Sequence, residues 1–407
     1  MRIQLWSYNY DPEPSGIAPL SSSWARAMKE RGHHVVVVAA HPHYPKPVWG
    51  TRLRPYRERR GDISVVRLPL WIGRDSGIQR VRQELSYALS LTGAASVLPT
   101  CDVVVAVSPS FPGLLPAMAW SRLRRTPWVM WLQDVLPEGA ATTGLIPPGP
   151  WLEVAKRFEL AAYKSADRVI VISDAFERNL CDKGVPASKT VRVYNPSPVA
   201  IATFREPDLT RRPRRLLVMG NIGHTQGLAP IVRTLQDSTV LNDCDAELRI
   251  VGHGVAADAV RSEINSDRVK MVGLLFGNDM EAELSTASVG LVTQRADVSE
   301  FNLPSKLMNY MAHGVPVLAV VNRDSETARI VRDSESGWIV PSDELERLPA
   351  AIREILLATD EVKRRGRRAH ETARVEFAPE RIAEQFESVL DEVRSRRTGR
   401  ASASMRT

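Results

Sequence analysis

The chain is poor in cysteine. Its 407 residues contain three, Cys101, Cys181 and Cys244, all far apart. An odd, sparse set gives neither a disulfide framework nor zinc-ligand spacing. The expected compartment is a reducing cytoplasm. Long apolar runs are also missing. Runs such as Val35–Ala40 and Val103–Val107 fall far short of the roughly 20 residues a membrane helix needs. The opening "MRIQLWSYNY" reads as a strand, because its apolar run is too short for a signal peptide and no small-residue cleavage site follows. There is no GxGxxG after the first strand, so the dinucleotide fingerprint is absent. No DxD pair occupies a strand-end loop, which agrees with chemistry that needs no metal. Base-stacking aromatics are scarce beside the arginines. The segment "TRLRPYRERR" (Thr51–Arg60) has only Tyr56, which argues against a nucleic-acid binder.

What is present is an alternation. Hydrophobic residues make up 43% and charged residues 25%, a globular profile with chain enough for two domains. Strands are expected at Arg2–Tyr8, Val35–Ala40, Asp102–Ser108, Trp128–Leu132, Arg168–Ile172 and Thr190–Tyr194. Helical patterns lie between them, including Leu20–Arg31 closed by Gly32. The pattern lapses at "NPSPVAIATFREPDLTRRPRR" (Asn195–Arg215), a proline-rich linker. It resumes with strands at Leu216–Met219, Glu247–Val251, Val269–Val272, Val289–Val292, Pro316–Val321 and Trp338–Val340. Strands alternating with helices predict two doubly wound α/β domains with parallel sheets. The expected division is 1–195, a hinge at 196–214, and 215–378. A helix at about 379–397 is expected to pack back on the first domain, with a disordered tail at 398–407. The net charge of +7 suits phosphates or an anionic bilayer as well as a plain solvated surface.

Ligands of such sheets bind beyond the carboxyl ends of the strands. Five loops there carry candidates. "YDPEPSGIAP" (Tyr10–Pro19) offers Gly16, as a turn or a close approach to ligand. "MGNIGHTQGL" (Met219–Leu228) offers Asn221, Gly223 and Gln226 ahead of a helix start. "VGHGVAADA" (Val251–Ala259) places Gly252 and Gly254 around His253, and "WLQDVLPEG" (Trp131–Gly139) supplies Gln133, Asp134 and Glu138. In "EFNLPSKLMNYMAHGVPVLAVV" (Glu300–Val321) a helix begins near Pro304, with Ser305 or Asn302 as cap. Lys306 sits in its first turn, where the helix dipole already favours anions. A cation there makes sense if it serves a doubly charged guest, and Arg295 in "TQRAD" can reach the same place. The alternative is an ordinary solvated lysine.

In this order the loops resemble a family-4 retaining glycosyltransferase, over nearly the whole chain. "ADRVIVISDAFERNL" (Ala166–Leu180) resembles the close of that family's first domain. "LRIVGHG" and "VGLLFGNDMEAELSTASVGLV" resemble its nucleotide-base pocket, which brings in Leu274. "LQDVLPE", "MGNIGHTQGL" and "LPSKLMNYMAHGVPV" are similar to the subgroup that builds capsule, O-antigen and exopolysaccharide. The resemblance implies the GT-B fold, two Rossmann-like domains facing across a cleft and closing about the 195–215 hinge. It implies a UDP- or GDP-sugar donor, a glycan or polyprenyl-linked acceptor, and no cofactor or metal. Asp134, Lys306 and Arg295 form the expected catalytic set. Donor contacts are expected from Gly16, Asn221, Gly223, Gln226, Gly252, Leu274, Ser305 and Asn309, and acceptor contacts from Gln133 and Glu138. Two departures stand out. The loop where the family carries Arg and Lys has Asn221 and Gln226. The family's two glutamates are matched by Phe301 and Asn309. A weakened homologue that binds sugar nucleotides is therefore an alternative. So is a sugar-nucleotide epimerase, although no carboxylate–histidine pair is found at the strand ends. The basic segments Thr51–Arg60 and Ser121–Arg125 suggest peripheral contact with the inner face of the plasma membrane.

Overall fold

Runs of branched apolar residues, buried on both faces, build two mostly parallel sheets. The computed structural model describes residues 1–14, 17–43, 52–73, 77–108, 112–134, 149–197, 199, 201, 203–207, 209–275, 277–297 and 303–404. The chain folds as two units, Met1–Asn195 with Pro379–Thr407, and Pro196–Ala378.

The first unit holds β1 (Arg2–Ser7), β2 (His34–Ala40), β3 (Tyr56–Arg60), β4 (Ile63–Leu68), β5 (Val103–Val107), β6 (Trp128–Leu132), β7 (Arg168–Val171) and β8 (Thr190–Arg192). Their order is β3-β4-β2-β1-β5-β6-β7-β8. β3 alone runs antiparallel, paired to β4. This hairpin was not expected, because "YRERR" reads as a basic segment. Four consecutive charged residues, with Arg57 and Arg59 exposed, are compatible with an edge strand and protect the edge from mispairing. Crossovers include α1 (Ala18–Glu30), α2 (Gly77–Ala95) and α3 (Leu114–Arg124). The long helix Pro379–Ser404 also belongs to this unit. Its Phe386 lies edge-on between Trp24 and Trp131, with ring centroids at 5.5 and 4.9 Å. Its Glu392 pairs with Arg168 at 2.7 Å. The helix continues to Ser404, in place of the disordered tail expected from residue 398.

The second unit holds β9 (Arg214–Met219), β10 (Ala246–Val251), β11 (Val269–Gly273), β12 (Val289–Thr293), β13 (Val317–Val321) and β14 (Gly337–Pro341). All are parallel, in the order β11-β10-β9-β12-β13-β14. The order reverses between β9 and β12, and such a switch point opens a crevice at the carboxyl edge. Here the crevice has a wedge. β9 and β12 pair through Leu216–Val289 and Leu217–Gly290 and then part. The Tyr310 hydroxyl enters the gap, donating to the Leu217 carbonyl at 2.8 Å and accepting from the Met219 amide at 3.0 Å. Gly290 makes room for the ring, since a Cβ there would lie 2.5 Å from it. The segment expected as a hinge groups with this unit. Its Leu209 is buried in the core, and its Phe204 packs on His370, with centroids 5.4 Å apart. Those two side chains anchor it despite the prolines.

Candidate active site

Glycine lets three strand-end loops of the second unit meet. Gly252 has φ of +154°, and a Cβ there would run into the Gly220 carbonyl oxygen. Backbone bonds join the loops, from Gly220 to Val251, from Ile222 to His253 and from Gly252 to Gly273. Leu274 follows directly and is exposed, beside the β10 loop. Gly254 lies under the Asn221 side chain. The loop 220–227 is therefore stitched to β10 on one side. On the other, Arg295 donates its amide to the Thr225 carbonyl at 2.9 Å, and its stem lies 3.0 Å from where a Cβ on Gly227 would stand.

Lys306 completes this place. It is buried, in the first turn of the helix Ser305–Ala312. Its Nζ donates to Gln226 Oε1 at 2.9 Å, spanning the β9–β12 switch. That partner is neutral. Burial alone holds the ammonium down at about 8 instead of 10.5, because a low-dielectric surrounding disfavours charge. Pro304, in place of Ser305, stands at the N-cap position, and among the described residues no side chain caps the helix. Ser305 instead opens the helix, so its first amides face this edge unclaimed by a capping side chain. Asn309, one turn further, is buried with Oδ1 unpartnered among the described residues. Thr293 Oγ1 and Gln294 Oε1, at the end of β12, are likewise buried and unpartnered. The sequence reading did not single these two out. Their one signal is polarity just where an apolar strand ends. Orphaned buried polar atoms cost free energy, so these three are candidates to pair with a guest.

Arg295 is less committed than expected. It is half-exposed and forks onto Asp297 at 2.5 and 2.9 Å. Arg295→Ala should therefore cost donor affinity less than about tenfold, since an exposed pair contributes little. Calorimetric titration with a nucleoside diphosphate measures this, and a loss matching that of a Lys306 variant would contradict it.

The two halves of the chain match two successive family descriptions. Residues 15–196 match the glycosyl transferase 4-like domain, and residues 213–358 match glycosyl transferases group 1. The chain is a family-4 glycosyltransferase. It is 26% identical to WcaI of Escherichia coli K12, described as a colanic acid biosynthesis glycosyl transferase, over 88% of this chain and 92% of that one. To the glycosyltransferase WbjE of Pseudomonas aeruginosa it is 27% identical, over 69% and 71%. Among solved structures, HepE of Anabaena in complex with UDP superposes with a TM-score of 0.67 at 16% identity, over 96% and 100% of the chains. Sucrose-phosphate synthase of Thermosynechococcus elongatus gives 0.71 at 17%, over 97% and 99%. The fold is GT-B. Family membership leaves the epimerase and nucleic-acid readings without support.

In the first unit of this glycosyltransferase, Asp134 is exposed just past β6. Gln133 has both ends of its amide in a reciprocal pair with Asn195, at 2.8 and 2.9 Å. Gly16, Glu138, Phe301 and Asn302 lie outside the described residues. The expectation of no carboxylate–histidine pair at strand ends needs correcting. Glu13, after β1, and His43, after β2, are both buried and approach to 3.4 Å. Asn9 donates to Glu13 at 2.9 Å, and the His43 amide donates to the same carboxylate at 2.8 Å. His43 Nδ1 donates to the His41 carbonyl at 2.8 Å, which leaves Nε2 as the acceptor facing Asn9 at 3.4 Å. Adjacency of β1 and β2 creates the pair, and spacing in sequence does not reveal it. Its groups are satisfied within the loops, so it acts as a brace.

Proposed function

We propose that this glycosyltransferase takes a sugar from a UDP- or GDP-sugar and transfers it, with retention, to a glycan or polyprenyl-linked acceptor. The setting is cell-surface polysaccharide assembly at the cytoplasmic face. The observation that carries the donor is the buried Lys306, held by a neutral amide beside uncapped helix amides and the Asn309, Thr293 and Gln294 orphans. Negative charge builds on the leaving diphosphate as the anomeric bond breaks. Fixed amides and one desolvated ammonium stabilise it without reorganising. A cation delivered in this way reduces the need for a metal. Where the family resemblance expects a loop lysine, Gln226 stands, and Lys306 reaches Gln226 from the opposite wall. The relocation keeps positive charge in place. Asn309 Oδ1 is an acceptor, suited to ribose hydroxyls. The UDP and UDP-glucose complexes of HepE support a nucleotide sugar, and the relatives in colanic acid synthesis support the setting. The acceptor is assigned to the first unit, with Asp134 and Glu138 as its orienting carboxylates. The departing phosphate takes the acceptor's proton.

Thermal-shift screening against nucleotide sugars tests this reading. A UDP- or GDP-sugar should raise the melting temperature at millimolar level, and failure of all of them removes the proposal. The weaker alternative, binding without turnover, follows from Asn309 in place of a carboxylate. Asn309→Glu should tighten nucleoside diphosphate binding by roughly tenfold, because a charged acceptor makes a stronger bond to a hydroxyl. Titration calorimetry reads it, and unchanged affinity removes Asn309 from the ribose site.

A further inference from the structure

Tyr310 does more than fill a gap between strands. β9 and β12 part after Leu217 and Gly290, so the Leu217 carbonyl and the Met219 amide lose their ladder partners. Buried backbone groups left alone are costly. The Tyr310 hydroxyl takes both, at 2.8 and 3.0 Å, and stands 3.4 Å from the Leu291 carbonyl of β12. A phenylalanine ring would fill the same space and satisfy neither. The main chain of Tyr310 is tied as well. Its carbonyl accepts from the His313 and Val315 amides, at 3.1 and 2.9 Å. That fastens the end of the helix Ser305–Ala312 to the turn before β13.

Two walls of the crevice depend on this one side chain. Lys306 sits one turn before Tyr310, on the same face of the helix. Gln226 lies on the loop that begins directly after Met219. Both ends of the 2.9 Å bond between Lys306 and Gln226 are thus referred to the Tyr310 hydroxyl, one through the helix and one through the strand end. We infer that Tyr310 is a positioning residue for sugar transfer. Its hydroxyl sets the separation of the helix from the end of β9, and so sets where the Lys306 ammonium meets the leaving diphosphate. Tyr310 is fully buried, so it acts through Lys306 rather than on substrate. The inference rests on the donor reading given above. Without the hydroxyl, the Leu217 carbonyl and Met219 amide must pair elsewhere. The strand end gains partners only by shifting toward β12 or by admitting water. Either change moves Gln226 relative to Lys306, and a displacement of about 1 Å can cost about 10²-fold in rate.

The test is a double-mutant cycle on the full-length protein. UDP and GDP, the leaving groups of the proposed donors, are titrated by calorimetry, and the tighter binder is carried through. Tyr310→Phe should weaken it by about tenfold or more. In a Lys306→Met background the same change should weaken it by less than about twofold, because no ammonium is left to place. Tyr310→Met, whose flexible side chain fills irregular space, takes its place if the phenylalanine variant does not fold. Ile352→Ala opens a cavity elsewhere in the same core. It should lower the melting temperature while leaving affinity within about twofold. Equal losses from Tyr310→Phe in both backgrounds, or no loss, overturn the inference and leave the donor reading standing. A matching loss from Ile352→Ala also overturns it, since the effect would then be one of stability alone. A parent protein that binds neither nucleotide removes the donor reading and this inference together. If Lys306→Met alone leaves affinity unchanged, Lys306 is not at the diphosphate and the inference falls with it.

Discussion

Lys306→Met should cut turnover by about 10²–10³-fold while making the protein harder to melt. The two effects share one cause. Burial lowers the Lys306 pKa from 10.5 to about 8, which costs on the order of 3 kcal/mol. Below pH 8 the folded protein carries that charge at this cost. Methionine has no charge to desolvate and fills similar volume. The abandoned Gln226 oxygen is only half-buried and can find water. The expected gain is about 3 kcal/mol, or about 5–10 °C in a domain of this size. The pH dependence has a definite sign. Between about 8 and 10.5 the unfolded chain holds a proton on Lys306 that the folded chain has released, so stability rises with pH across that window. Stability curves of the parent and variant should therefore converge above pH 10. Activity runs the other way. kcat/KM reports the free enzyme and should fall as pH passes about 8, where the ammonium is lost. A variant that is inactive but no more stable would show that Lys306 is not held at a cost. One that is stable and active would remove it from the chemistry.

Gly252→Ala should destabilise the second unit by about 3 kcal/mol or more, whereas Gly223→Ala should change it by less than about 0.5 kcal/mol. Both glycines sit in strand-end loops and look alike in sequence. Gly252 holds φ of +154°, and its new methyl would meet the Gly220 carbonyl oxygen. That carbonyl has little freedom to retreat, because the Gly220 and Ile222 amides are tied to Val251 and His253. Gly223 has φ of −97°, and its Cβ would find the Asn221 amide nitrogen at 3.3 Å, the end of a side chain that can turn aside. Chemical denaturation of the two variants separates the cases. Equal stabilities would mean the loop junction at Gly252 is looser than its contacts imply.

The strands were legible because buried parallel strands are short apolar runs bounded by turns, as in Val103–Val107 and Trp128–Leu132. Lys306 was legible because a cation in the first turn of a helix contradicts the local dipole. Other features depended on what neighbours what. The β3–β4 hairpin was hidden because its outward residues are arginines. The Tyr310 wedge needs β9 beside β12, and the Glu13–His43 brace needs β1 beside β2. Lys306 could be read as a cation with a purpose, but not as a buried one, since burial comes from the packing around it. Leu209 and Phe204 tie the proline-rich segment to the second unit, which its prolines do not reveal.

The division of the chain also sets an order of events on the ribosome. The second unit, Pro196–Ala378, is complete in sequence before the helix that finishes the first unit has been translated. Until Phe386 emerges, Trp24 and Trp131 lack the ring that lies between them. The half that starts first is thus the half that matures last, and a chain cut after Ala378 would contain the whole C-terminal body with an N-terminal one still short of its closing helix.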